Sequence, residues 1–288
     1  MRWQMLTRNI LNRTHPNAAP GKGQFPPGTI AVRQLGKTFS VAAPGQQSVR
    51  EVLQGVVFGG RKASRQVTAL REMTFTVAAG DALGVVGRNG SGKSTLLKLL
   101  AGTMYPDSGT LTVGGRVSAL IDLAAGFHPE FSGRENIFLS GTILGARRAD
   151  MQQRFDRIVA FAELHEFIDV PVKYYSTGMF ARLGFAVASS VESDVLLIDE
   201  VLAVGDGRFQ TKCLKKLEEL REQGTTLLFV SHNLELVRSL CSEVLWLEKG
   251  TARVLGPSDE VLDRYRSHLH NDVPKQTQGH SIGLVTGD

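Results

Sequence analysis

The sequence predicts an α/β fold with a parallel sheet covered by helices. Short apolar runs at Val195–Ile198, Thr226–Val230 and Val244–Leu247 alternate with helical stretches at Phe209–Glu222 and Asn233–Leu240. That β-α-β-α order builds parallel strands joined by crossover helices. Earlier, the apolar run Ala82–Val86 enters a glycine-rich turn and then Leu96-Leu97-Lys98-Leu99-Leu100, a strand–turn–helix unit. With 288 residues, 42% apolar and 21% charged, the chain can bury one large core, which argues against disorder throughout.

Taken in order, residues 1–28 are punctuated by Pro16, Pro20, Pro26 and Pro27 and read as a flexible arm. Residues 1–71 hold 11 Lys/Arg and one acid, Glu51, within a chain of net charge +5, so a cationic leader precedes a mildly acidic body. Such a leader suits anionic lipid or plain solvation. Its cations are not interleaved with aromatics, so nucleic acid is not an expected partner. Strand character runs from Ile30 through Val32 and Leu35 to Phe39. In the connection over about 40–67, Val49, Val52, Leu53, Val56 and Val57 fall on one helical face, beside Arg50, Arg61, Lys62 and Arg65. That helix either packs on its own domain or lies at a membrane surface.

Thr74–Val77 alternates like a half-buried strand and turns at Ala79-Gly80-Asp81. After the glycine-rich turn, a helix ends near Ala101-Gly102, and strands follow at Thr110–Val113 and Arg116–Ile121. Helical texture then dominates from about Phe127 to Ser190, clearest at Gly133–Gly145 and at Ala149–Ala162, where Phe155, Ile158, Val159 and Ala162 share a face. A hairpin at Lys249-Gly250, a helix from Ser258 to about His268 and a polar tail close the chain. Cys213 and Cys241 have no metal-ligand spacing and read as reduced, partly buried thiols.

The turn itself, Gly87-Arg88-Asn89-Gly90-Ser91-Gly92-Lys93-Ser94-Thr95, fits G-x-x-x-x-G-K-[ST], and it sits in the strand-to-helix setting that this phosphate-wrapping loop requires. Glycines let backbone N–H groups turn inward, and the helix that follows points its positive end at the anion. Lys93 is expected to reach the β- and γ-phosphates, and Ser94 to ligate Mg²⁺. No apolar run approaches the ~20 residues that span a bilayer. The N-terminus lacks the continuous apolar core of a secretory signal. Nucleotide chemistry is therefore expected on the cytoplasmic side.

Three further features narrow the chemistry. Val195-Leu196-Leu197-Ile198 ends in Asp199-Glu200, and charge at a buried strand end calls for a metal or a partner. Asp199 suits a water-mediated Mg²⁺ contact, and Glu200 suits the group that polarises an attacking water. Tyr175-Ser176-Thr177-Gly178-Met179 precedes a helix carrying Phe180, Leu183, Gly184 and Val187. Ser176 reads either as a simple N-cap or as part of an anion site at a helix start. Ser231-His232-Asn233 follows an apolar strand, where the imidazole is either structural or a γ-phosphate contact.

In this order the four features resemble the ATP-binding cassette (ABC) ATPases, over roughly residues 30–255. The resemblance implies a P-loop NTPase fold of the ABC nucleotide-binding type, with an antiparallel β subdomain and a helical subdomain at about 127–190. It implies an ATPase domain over 29–255, followed by a C-terminal helix and tail over 256–288. ATP would be held by Phe39, Gly87–Thr95 and Ser176, Thr177 and Gly178, with Phe39 stacking on adenine. Mg²⁺ would be held by Ser94 and Asp199, and catalysis would fall to Lys93, Glu200 and His232, with a D-loop at Ala203–Asp206. In the family, Ser176–Gly178 of one copy would face the γ-phosphate held by another, so a homodimer is implied.

The segments Leu123–Ile137, Tyr175–Ala188 and Ile198–Asp206 look like the polysaccharide-export branch of ABC transporters. That likeness implies a lipid-linked glycan as cargo and separate integral membrane permease subunits. The chain would then be held peripherally at the cytoplasmic face of a bacterial inner membrane. Two departures stand out. The family's Q-loop glutamine is missing, and Asp122 in that region is carried as a Mg²⁺ or water contact. About 30 residues follow the Ala252–Leu255 strand, too few for an appended carbohydrate-binding sandwich of ~100 residues. The alternatives are an ABC subunit for a drug or small nutrient, or a non-transport ABC ATPase. A P-loop kinase would leave Ser176–Gly178 and His232 without a role.

Overall fold

The computed structural model describes residues 25–42, 64–120, 126–199 and 206–271. The helix expected within 48–58 falls outside them. Two sheets form the frame. In the smaller, β1 (Ile30–Ala42) pairs antiparallel with β2 (Ser64–Val77) on one side and with β4 (Ser108–Val113) on the other. Met73, Phe75 and Val77 are buried and Thr74 and Thr76 exposed, the alternation read from the sequence. Both long strands outrun that reading, because Phe39–Val41 and Arg65–Val67 pair with one another despite their exposure or polarity. Residues 25–28, assigned to the arm from the sequence, belong to the folded body. Gly28 N donates to Gly114 O at 2.9 Å and Gly114 N to Thr29 O at 2.8 Å.

The larger sheet has the order β5 (Val117–Leu120), β6 (Val195–Ile198), β7 (Thr226–Val230), β3 (Ala82–Val86), β8 (Glu243–Glu248), β9 (Thr251–Pro257). All of its strand pairs are parallel except the β8–β9 hairpin, which turns through Lys249 and Gly250 at φ 47° and 83°. Every residue of β3, β6 and β7 is buried, as expected when both faces of a parallel sheet are covered.

The two faces divide the apolar side chains. Leu196 and Ile198 share a core with Phe185, Phe209 and Val237, under α4 (Thr177–Ala188), α5 (Gly207–Glu222) and α6 (Leu234–Leu240). Val195 and Leu197 share another with Leu96 and Leu97 of α1 (Lys93–Leu100) and with Leu70 and Phe75 of the small sheet. Each fully buried Leu or Phe contributes about 1.5–3 kcal/mol. A third cluster joins α2 (Gly133–Ile143), α3 (Arg148–Ala162) and α4 through Ile137, Phe155, Ile158 and Leu183. The last helix, α7 (Ser258–Asn271), runs past His268 and packs Val261, Leu262 and Tyr265 into the first core.

Candidate nucleotide-binding site

Because β6, β7 and β3 are adjacent and parallel, their C-terminal ends meet one edge of the sheet. β3 delivers Gly87, β6 delivers Asp199 and β7 delivers Ser231 and His232 to that edge. Ligands of open α/β sheets bind at this edge.

The loop is shaped by glycine where nothing larger fits. A Cβ on Gly87 would stand 2.2 Å from Leu247 O and 2.7 Å from Ser91 Oγ. Gly92 has φ 110°, and a Cβ there would stand 2.6 Å from Ala69 O. Across the loop, Lys93 Nζ donates to Gly87 O at 2.6 Å and Arg88 O at 3.1 Å. The loop is also clasped from outside, since Gly250 N donates to Ser91 O at 2.9 Å and Arg71 N to Gly250 O at 2.7 Å. Ser91 Oγ is buried with no hydrogen-bond partner among the described residues. It stands in a loop whose first helical turn leaves its N–H groups without intrahelical partners. These are the donors a phosphate would meet.

Lys93, Asp199 and His232 share one electrostatic environment. Burial lowers the pKa of Lys93, and the Asp199 charge opposes this. Burial raises that of Asp199, against the charges of Lys93 and His232. Burial and then the Lys93 charge lower that of His232, with Asp199 opposing, so the neutral imidazole is favoured. The loop carrying His232 is pinned by Ser231, whose buried hydroxyl accepts from Asn233 N at 3.1 Å, and Asn233 then caps α6. The sequence reading quoted Ser231 beside His232 but gave it no role. Its signal is a hydroxyl directly after the apolar run Leu227–Val230.

Among the described residues no group of three or more His, Cys, Asp or Glu could hold a metal ion by itself. Mg²⁺ is ordinarily bound through one or two carboxylates together with substrate phosphates, and the exposed Ser94, next in sequence to the Lys93 that Asp199 is coupled to, with the half-buried Asp199 fits that pattern. Asp122, Glu200 and residues 203–205 of the D-loop lie outside the described residues, and Asp206 at its end lies within them. Phe39 is half-buried on β1, with Lys37 Nζ 5.7 Å from its ring centroid. Lys37 Nζ and Thr38 N both donate to Asp107, at 2.8 and 2.7 Å, fixing the strand just ahead of that ring.

Ser176 N-caps α4, its hydroxyl accepting from Met179 N at 3.2 Å, so the capping role holds within this chain. Ser176 and Thr177 are exposed, and a Cβ on Gly178 would meet only Ser176 Oγ, at 3.9 Å. The same helix is locked from its side. Arg182 bonds Glu163 at 3.1 Å and Asp206 at 2.8 Å, and Asp206 caps α5 through Phe209 N at 2.9 Å. Asn136, likewise given no role from the sequence, is fully buried on α2 and binds the turn at His128–Ser132.

A phosphate loop between a parallel strand and a helix, with a strand-end carboxylate and an imidazole on the neighbouring strands, defines a P-loop nucleotide-binding domain. The chain belongs to the ABC transporter family, whose conserved domain it matches over residues 70–203. It is 49% identical over 205 residues to the O-antigen export system ATP-binding protein RfbB of Klebsiella pneumoniae, covering 71% of this chain and 83% of that one. It is 40% identical over 230 residues to the teichoic acids export ATP-binding protein TagH of Staphylococcus saprophyticus, covering 80% and 86%. Its fold is similar to that of the ATP-binding cassette MJ0796, solved as a dimer in a post-hydrolysis state with ADP and phosphate. The TM-score is 0.64 at 18% identity, covering 80% of this chain and 98% of that one.

Proposed function

We propose that this chain is the ATP-hydrolysing subunit of a transporter exporting a lipid-linked polysaccharide across the cytoplasmic membrane. The observation that carries the reading is the convergence of Gly87–Thr95, Asp199 and His232 at one sheet edge. Its cargo class follows the relatives, which are named for O-antigen and teichoic-acid export. The division into an ATPase body over 29–255, with a helical subdomain at about 127–190, belongs to the same proposal. No helix among the described residues is long and apolar enough to cross a membrane. Attachment to the cytoplasmic face would come through separate permease subunits.

In this reading Gly87–Thr95 wraps the ATP phosphates, and Lys93 exchanges its backbone carbonyl partners for phosphate oxygens. Ser94 and Asp199 would hold Mg²⁺, with Asp122 as a further contact. Bound there, the ion neutralises charge on the transferring phosphoryl group. Phe39 would stack on the base. Glu200 would orient or deprotonate the attacking water, and neutral His232 would contact the γ-phosphate, together contributing by position and charge. The exposed start of α4 at Ser176, Thr177 and Gly178 would face the nucleotide of a second copy. The open space around Gly178 supports that approach.

The test reconstitutes the chain with its permease in vesicles and supplies ATP and a lipid-linked glycan. The expected result is glycan on the far side only with ATP, lost in Lys93→Ala and in Glu200→Gln, the latter trapping an ATP-bound pair. ATP-dependent movement of a drug or small nutrient with no glycan movement would overturn the cargo assignment. Failure of the purified chain to hydrolyse ATP would overturn the whole reading.

A further inference from the structure

Between α3 and α5, beside the turn that ends α4, lies a cleft of about 600 Å³. Its volume falls within the ordinary range of small-molecule sites. No residue of Gly87–Thr95, nor Asp199 or His232, lines it. Five cationic side chains stand around it against two carboxylates.

Three of those cations are already engaged. Arg154 bonds the Ser190 carbonyl and Glu192. Lys212 donates to Phe161 O at 2.8 Å and Glu163 at 3.1 Å, and Lys216 pairs with Glu219 at 3.4 Å. Arg157 and Lys215 remain, and among the described residues neither has an ion-pair or hydrogen-bond partner. Arg157 stands one turn from Arg154 on α3, and Lys215 stands on α5, so the two walls each offer one uncommitted cation. Phe161 and Leu220 add apolar surface to the lining.

A carboxylate presents two oxygens in one plane and can satisfy one wall. A diphosphate presents anionic oxygens on opposite sides, and the guanidinium fork of Arg157 matches phosphate oxygens in pairs. We infer that the α3–α5 cleft binds a diphosphate group, carried by a soluble organic diphosphate or by a lipid headgroup, separately from the ATP site. The apolar lining suits a carbon skeleton attached to that group.

The experiment titrates inorganic pyrophosphate into the full chain carrying Lys93→Ala, which weakens the phosphate loop as a competitor, and follows heat of binding. Saturable binding is expected, weakened about tenfold or more when Arg157→Ala and Lys215→Ala are added. It should also weaken toward 1 M salt, where the screening length falls to about 3 Å. In a chain that keeps Lys93, Arg157→Ala with Lys215→Ala should leave basal ATP turnover unchanged. Co-sedimentation with phosphatidylglycerol vesicles, with and without a polyprenyl diphosphate, separates the sources. Retention that depends on the doped lipid and is displaced by pyrophosphate assigns a headgroup. Pyrophosphate binding without such retention assigns a soluble ligand. Absent binding, or equal affinity in the double variant, overturns the site.

Discussion

Asn136 closes on both backbone groups of His128. Its Nδ2 donates to His128 O at 3.1 Å while its Oδ1 accepts from His128 N at 2.7 Å. The same amide reaches Phe131 O and Ser132 O, each at 3.0 Å. Asn136→Ala orphans these groups in a fully buried place and should cost about 2–3 kcal/mol. Asn136→Asp, which loses the donors, should destabilise similarly. Urea denaturation measures both, and a change under half a kilocalorie would show that water replaces the side chain freely.

Lys93 spans its own loop to Gly87 O at 2.6 Å. Lys93→Ala should reduce ATP turnover by about 10²–10³-fold, the scale for loss of one charge-stabilising donor. Thermal stability should fall little, because a buried ammonium carries a desolvation cost that alanine does not. Turnover assays and a melting curve on one preparation separate the two effects.

Two glycines should answer differently to the same methyl group. At Gly87 the added Cβ meets Leu247 O at 2.2 Å, so Gly87→Ala should lower stability by about 1–3 kcal/mol and abolish nucleotide binding. At Gly178 the helix has room, and Gly178→Ala should hold or raise stability by up to about 1 kcal/mol. Turnover should nonetheless drop if a second copy's nucleotide approaches that helix start. Unchanged turnover in a more stable Gly178→Ala chain would remove α4 from the composite site.

Burial pushes both thiols, Cys213 and Cys241, up to about 12. The native chain should therefore resist iodoacetamide at mildly alkaline pH, and the unfolded chain should react at both positions. The raised values also set a pH dependence. From the ordinary 9.0 up to about 12, the unfolded chain releases thiol protons that the folded chain keeps. The stabilisation is thus full below 9.0 and is lost as pH rises through that window. Mass spectrometry after timed alkylation checks the first point, and denaturation midpoints across alkaline pH check the second.

What could be read from the sequence was what local chemistry dictates. β6 and β7 were found to the residue, because an unbroken apolar run between polar neighbours marks a strand buried on both faces. Gly87–Thr95 was legible because the G-x-x-x-x-G-K-[ST] spacing is itself the signature of a phosphate-wrapping loop. The outer ends of β1 and β2 were not, since Ser40–Val41 and Arg65–Gln66 become strand only by pairing with each other. Ser231 and Asn136 bond backbone groups two to eight residues away, in turns whose shape composition does not report. The facing cations Arg154 and Lys212 are far apart in sequence, and only the packing of α3 against α5 unites them.

The hairpin tip at Gly250 takes a bond from Arg71 and gives one to Ser91, so a single residue touches both sheets and the glycine-rich loop. A displacement of Ser91 O during turnover would stretch or break the bond from the Gly250 amide. Deuterium uptake at the Gly250 amide therefore offers a remote gauge of how tightly the glycine-rich turn is seated as nucleotide comes and goes.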